Sequence, residues 1–391
     1  MGQGRTSALS FHPSSFTRGL TCGMPYASFD RWKLHRHPLA GRPNKVAIDR
    51  DCVRPGDAPR PLPAAAMGVI DETAGRMQAA RAAGRPVMLA FGAHTIKNGL
   101  APVLAKLIED GWVQHLATNG AGIIHDWEFA FQGQSSEDVR ANVAEGKFGL
   151  WEETGFHLNL ALLLGAFDGL GYGEAIGRLI HEERHRIPSR EELLEAVGQA
   201  GRSPEAAERA AAAADLLARA AQAGLAPGEV SVPHPWKRFS IQARAYALGI
   251  PFTGHPMIGH DIIYTHPLNC GAAVGRTAER DFLRFAHNVS RLSGGVYLSV
   301  GSAVMSPMIF EKSLSMANNL GPRVEGHFIA VVDLAESRWD WSRGEPPMDS
   351  PDYYLRYCKT FNRMGGTMRY ACADNRDFLL HLVRRLEGKA P

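Results

Sequence analysis

The chain has 391 residues, 45% of them hydrophobic and 21% charged, which is enough to bury a sizeable core as two domains or as one large α/β domain with insertions. Its 43 basic and 40 acidic residues leave a formal net charge of +3, too weak a bias for a nucleic-acid binder or for attraction to an anionic membrane. No stretch approaches the roughly 18 unbroken apolar residues of a membrane span, and no apolar signal-peptide core is found. Cys22, Cys52, Cys270, Cys358 and Cys372 form no CxxC pair, so neither a disulfide scaffold nor a structural zinc site is expected and a reducing cytoplasm fits.

Residues 1–63 hold eight of the 24 prolines and ten Lys or Arg against four Asp or Glu, with little periodicity. This predicts an extended arm, disordered at its start. Gly2 and Thr6 match the loose N-myristoylation pattern, but nothing else supports lipidation. Met24 is an alternative start, because residues 1–23 contain nothing foldable. Residues 64–391 are expected to form a single α/β domain. Short apolar runs at 87–91, 112–117, 250–253, 296–300, 328–332 and 368–371 alternate with helical stretches at 98–110, 278–292, 308–319 and 376–386. Fully apolar strands alternating with helices predict a doubly wound, mostly parallel six-stranded Rossmann-like sheet. A helical insertion is expected at about 135–235. It holds a five-alanine run at 210–214 and apolar stripes through Leu193, Leu194, Val197, Leu216 and Leu217.

In such a sheet, ligands bind beyond the carboxyl ends of the strands, near the topological switch point. That rule selects Gly92 to Gly99, Thr118 to Asp126, Gly254 to Asp261 with Tyr264 and His266, then Gly301 and Ser302, Asp333, and Asp374 with Asn375. Glycines at strand ends let a ligand approach the backbone, yet neither glycine loop is a GxGxxG fingerprint or a P-loop. His255, His260 and His266 with Asp261 match no compact metal motif, and no metal is expected. An acid–base or substrate hydrogen-bonding role suits one of these histidines better. Ser302 lacks the GxSxG elbow of a hydrolase nucleophile.

The segments 91–99 and 118–126 resemble the paired NAD-binding loops of deoxyhypusine synthase. The run Gly259-His260-Asp261-Ile262-Ile263-Tyr264-Thr265-His266, after Ile250-Pro251-Phe252, is similar to that family's third-strand loop, where a carboxylate at the position of Asp261 holds the amine substrate. Residues 295–301 resemble the next strand and its glycine turn, and 370–383 the final strand and helix, with Ala373-Asp374 matching a cofactor-binding pair. The likeness covers roughly 70–135 and 240–387, as motifs. It implies a deoxyhypusine synthase-like NAD-binding fold, with NAD held by Ala93, His94, Thr95, Ile96, Lys97, Asn119, Gly120, Ala121, Gly122, Gly301, Asp374 and Asn375. It also implies a homotetramer.

Three departures stand out. Ile124-His125-Asp126 replaces consecutive acidic residues, Ser306-Pro307 stands where the family has its active-site histidine, and the family's catalytic lysine matches Lys359 only across a small gap. The expected enzyme is therefore a divergent NAD-dependent transferase acting on a small amine or amino acid, passing an aminoalkyl group through an imine. Asp261 and His125 are expected to bind substrate. His260, His266 or His125 would be the base, and Lys359 the nucleophile, with Lys97 as an alternative lysine or a cofactor-phosphate contact. The alternatives are other NAD-dependent chemistry on the same framework, such as a cyclodeaminase-like or oxidoreductase reaction, and a non-catalytic nucleotide-binding regulator.

Overall fold

The computed structural model describes residues 26–388; the Gly2–Thr6 pattern, Cys22 and Met24 lie outside them. The centre of the molecule is set by Val-Met-Leu-Ala-Phe at Val87–Phe91 (β1), a strand buried along its whole length. Side chains alternate across a strand. Val87, Leu89 and Phe91 therefore join one core while Met88 and Ala90 join the other.

Five more strands follow in chain order: β2 (His115–Asn119), β3 (Phe252–His255), β4 (Val296–Val300), β5 (Phe328–Asp333) and β6 (Thr367–Cys372). They lie in the order β6-β5-β4-β1-β2-β3, with every pairing parallel. Leu89 pairs with Leu298 on one side and Leu116 on the other.

One face of the sheet is covered by α1 (Ala64–Ala82), α2 (Ala93–Lys97), α3 (Ala101–Glu109), α4 (Gly120–Gln132) and the final helix, Asn375–Leu386, whose Phe378 to Leu380, Leu382 and Val383 join the same core. The insertion adds α5 (Glu152–Asp168), α6 (Tyr172–Glu182), α7 (Arg190–Gly198) and α8 (Pro204–Ala223). After the short α9 (Ile241–Ala247), the opposite face is covered by α10 (Gly271–Ser290), α11 (Met305–Leu320) and α12 (Arg356–Asn362), through Phe285, Phe310 and Phe361. The final helix is α13. With apolar helices on both faces, the strands can be continuous apolar runs.

Beside these helices the segment holds an antiparallel ribbon, Arg184–Ile187 with Gly228–Ser231. Those segments, Arg-His-Arg-Ile and Gly-Glu-Val-Ser, are four residues each and carry too few apolar positions to signal a strand. Leu193 and Leu216 meet in a separate core with Leu160, Leu163 and Phe167, with Val197 and Leu217 packed against it. Leu194 instead stays exposed at 48%. Residues 26–63, expected as an extended arm, are held against the body. Leu39, Ile48 and Val53 are buried in the main core, and the Arg60 backbone N–H and guanidinium Nε donate to Asp377 at 2.9 and 2.7 Å. Among the described residues no helix is long and apolar enough to cross a membrane.

The edge at β3 is closed by one carboxylate. Asp281 of α10 is fully buried, and its Oδ2 accepts from the Gly254 N–H at 2.7 Å and the Gly173 N–H at 2.8 Å. It thus caps an edge-strand amide and the first turn of α6 together. Burial pushes this carboxyl up to about 7, against the pull of those two amides.

Candidate functional site

The strand order places β4 beside β1, and the chain leaves this pair towards opposite edges of the sheet. That is a topological switch point. Two glycines mark it, Gly92 after β1 and Gly301 after β4. A Cβ on Gly92 would lie 1.9 Å from the Gly301 carbonyl oxygen, so the two turns touch through backbone. Gly301 has φ +58°, a conformation that favours glycine, and Asn375 occupies the space its side chain would need. Asn375 in turn donates from Nδ2 to the Thr95 Oγ1 at 3.1 Å.

The expected cofactor residues all fall at this end of the sheet. Ala93, His94, Thr95, Ile96 and Lys97 form α2, directly after β1. Asn119 caps α4 by accepting from the Gly122 N–H at 2.9 Å, with Gly120 and Ala121 in its first turn. Asp374 caps α13, accepting from the Arg376 N–H at 2.8 Å, and pairs with Arg60 at 3.2 Å.

Beside α4 is a cavity of about 200 Å³ whose walls include Lys97, Ala121, His125, His260 and Asp261. Asp261 lies over the start of α4, since a Cβ on Gly120 would come within 2.2 Å of its Oδ2. That oxygen is shut off from solvent and has no hydrogen bond; the Tyr264 hydroxyl approaches it without forming one of good geometry. Burial pushes the Asp261 carboxyl up to about 6, opposed by His260, the Met257 backbone and Tyr264. Because an anion already sits over α4, that helix start is suited to a cation held by Asp261 rather than to a phosphate.

Three charged residues absent from the sequence expectations also line it: Arg42, Glu128 and Glu137. Arg42 is buried and grips Glu128 with two parallel bonds, Nη1 to Oε1 at 2.8 Å and Nη2 to Oε2 at 2.6 Å. Its Nη1 is also 3.8 Å from Glu137 Oε1, and Glu137 is held by the Trp151 indole N–H at 2.9 Å and the Asn142 amide at 2.6 Å. Arg42 pulls Glu128 below the ordinary carboxylate range despite complete burial. Three carboxylates thus face two cationic side chains around the cavity, an excess of negative charge. Glu128 had one legible signal, its place one turn beyond His125 on α4. Arg42 had none.

Two expected residues lie elsewhere. His266 is buried behind the loop, with Nε2 3.3 Å from Glu152 Oε1 and Nδ1 accepting from the Leu268 N–H at 3.1 Å. Gly155 packs directly on its ring. Its ring is engaged in structure, and burial lowers its pKa. Lys359 is on α12 beside β6, its Nζ 3.6 Å over the Tyr353 ring. Asp261 follows β3, at the opposite edge of the sheet from β6, and lines the cavity, which Lys359 does not.

An all-parallel, doubly wound sheet in this strand order, with a ligand-sized cavity at its carboxyl edge, defines a Rossmann-like α/β protein. No protein-family model matches the chain, and no curated protein matches it. Among solved structures, AgrE in complex with ornithine and NAD+ aligns at 14% identity and TM-score 0.42, over 84% of this chain and 34% of AgrE. A protein assigned to the LOR/SDH group from Methanococcus maripaludis aligns at 14% and 0.40, over 86% of this chain and 72% of its own. One assigned as a deoxyhypusine synthase from Entamoeba histolytica aligns at 10% and 0.35, over 77% and 74%. The chain spans about a third of the length of AgrE. At this level of likeness the functional reading rests on the site itself.

Proposed function

We propose that the chain is an NAD-dependent enzyme acting on a cationic amine or amino acid. The dinucleotide would lie across the carboxyl ends of β1 and β4, and the amine would bind in the cavity against Asp261. The observation that carries the reading is Asp261 itself, a carboxylate that lines a cavity with excess negative charge and has one buried oxygen without a hydrogen bond. A buried unpaired charge is costly to hold, and an ammonium group would supply the missing hydrogen bonds.

The residues present fit a dinucleotide. Gly92 and Gly301 bring the turns after β1 and β4 into backbone contact at the switch point, and Asn375 and Thr95 offer polar groups beside it. When bound, NAD would supply a hydride acceptor. The chain's own part is to orient the amine at Asp261 and to hold or accept protons at His125 or His260, both in the cavity wall. For aminoalkyl transfer through a lysine, the candidate is Lys97, because it lines the same cavity and Lys359 does not. The reading keeps the homotetramer implied by the family resemblance, to be checked by light scattering.

Calorimetric titration with NAD, followed by absorbance of reduced nicotinamide as polyamines and basic amino acids are added singly, tests the proposal. NAD binding with an amine-dependent signal is expected. Asp261→Asn should raise the KM for the amine about 10- to 100-fold, the worth of a charged hydrogen bond, with the Kd for NAD unchanged. Binding without any signal favours the regulatory alternative, and absence of NAD binding overturns the reading.

A further inference from the structure

Behind the cavity wall runs a buried chain of side chains that ends on His125. The His125 Nδ1 is 2.7 Å from the Ser135 Oγ. The Ser135 hydroxyl donates to Glu128 Oε2 at 2.6 Å, and Glu128 is clamped by Arg42 and also accepts from the Thr154 hydroxyl at 3.1 Å. Ser135 and Glu128 are buried.

The direction of these bonds follows from proton counting. A carboxylate only accepts, and a serine hydroxyl has a single hydrogen. Glu128 is ionised opposite Arg42, so the Ser135 hydrogen points at Glu128. The remaining lone pair of Ser135 must then receive the hydrogen of the imidazole, which places the ring proton on Nδ1. Nε2 is left as an unprotonated acceptor, with no hydrogen-bond partner among the described residues. Burial, together with the positive charges of Lys97, Arg42 and His94, outweighs the pull of Glu128 and lowers the ring to about 4, so it is neutral near pH 7.

We propose that His125 Nε2 accepts a hydrogen bond from the substrate's ammonium group, and that Ser135, Glu128 and Arg42 are positioning residues that fix the tautomer making this possible. The inference rests on the amine reading above. With Asp261 it gives the cavity two acceptors, one charged and one neutral. Such a pair suits a primary ammonium, which has three N–H donors, and rejects a quaternary ammonium, which has none. A protonated His125 would repel the same ligand, and an Nε2–H tautomer would meet it donor to donor.

Nitrogen-15 NMR of histidine-labelled protein tests this without reference to turnover. The His125 signals are identified by their loss in His125→Gln. The wild-type ring should be neutral and Nδ1–H at pH 7, and 1,4-diaminobutane or L-lysine should shift its Nε2 resonance while their N-permethylated analogues do not. Ser135→Ala should release the tautomer and weaken amine binding about tenfold, leaving the Kd for NAD unchanged. A ring that is charged at pH 7 or carries its proton on Nε2 overturns the inference, whatever the amines do. An Nδ1–H ring that no amine perturbs also overturns it. In that case, amine-dependent reduction of NAD would show that the functional reading survives, and its absence would remove both.

Discussion

Asp261 is held where its charge is least comfortable, over the first turn of α4 with one oxygen out of solvent. Its carboxyl is raised from 3.8 to about 6, so the folded chain binds its proton more tightly than the unfolded chain does. Stability must therefore fall as pH rises between these values and stay level above about 6. Asp261→Asn should stabilise the protein at pH 8 by on the order of 2 kcal/mol and change little at pH 4; urea titrations at the two pH values give the comparison. Equal effects at both would mean that burial does not penalise this charge. Gly120→Ala is the companion variant. Its backbone is helical and tolerates a side chain, but the new Cβ would press on the carboxylate. It should cost the amine site far more than it costs the fold. Asp261 was legible as a residue at a strand end; its exposed-or-buried state was not, because burial depends on what packs above it.

At the scale of elements, the contact between the N-terminal segment and α4 matters most. Arg42 reaches Glu128 across 86 positions of sequence and also faces Glu137. Removing it would leave two buried carboxylates without their counter-charge, at a cost of about 3–5 kcal/mol. Glu128 is held below its ordinary value in the intact protein, so its contribution is present above that ordinary value and lost as pH falls. Arg42→Ala should therefore be severely destabilised at pH 8 and markedly less so at pH 4, where the freed carboxylates take up protons. Denaturant midpoints at the two values decide it. The segment's prolines and sparse apolar residues carry no information about where its path leads.

Among the described residues, burial keeps six histidines neutral, His125 of the cavity wall among them. His157, His185 and His234 gather under the insertion against Trp127 and Phe131, while His115 and His255 both pack on Phe285. Burial holds His157 and His234 at about 4, and His115, His185 and His255 at about 3. The groups facing the insertion cluster are Glu152, His266, Glu183, Arg178 and Lys237, and the two carboxylates do not offset the burial. An unfolded histidine takes its proton near pH 6.5, so each of these costs about 1.4 kcal/mol per pH unit once the pH falls below that value. Asp126, Asp261 and Asp281 titrate in the opposite direction, but the six histidines outnumber them. Unfolding free energy should drop steeply between pH 7 and pH 5, and a flat profile in urea titrations would count against buried neutral imidazoles.

The six strands could be located from the sequence because a doubly covered strand is a local property, an unbroken apolar run closed by glycine or a short polar residue. Val87–Phe91 and Val296–Val300 are found with the expected bounds. The rule that ligands collect at strand ends then places Lys97, His125, His260 and Asp261 in one region before any contact is known. Only the tertiary structure decided the rest. It leaves Lys359 out of the cavity wall, turns His266 into the protein, and brings Arg42 and Ser135 behind His125. The physical reason is that a cavity wall is made where distant segments cross. The partners of a buried charge are chosen by that crossing, and no spacing along the chain encodes it.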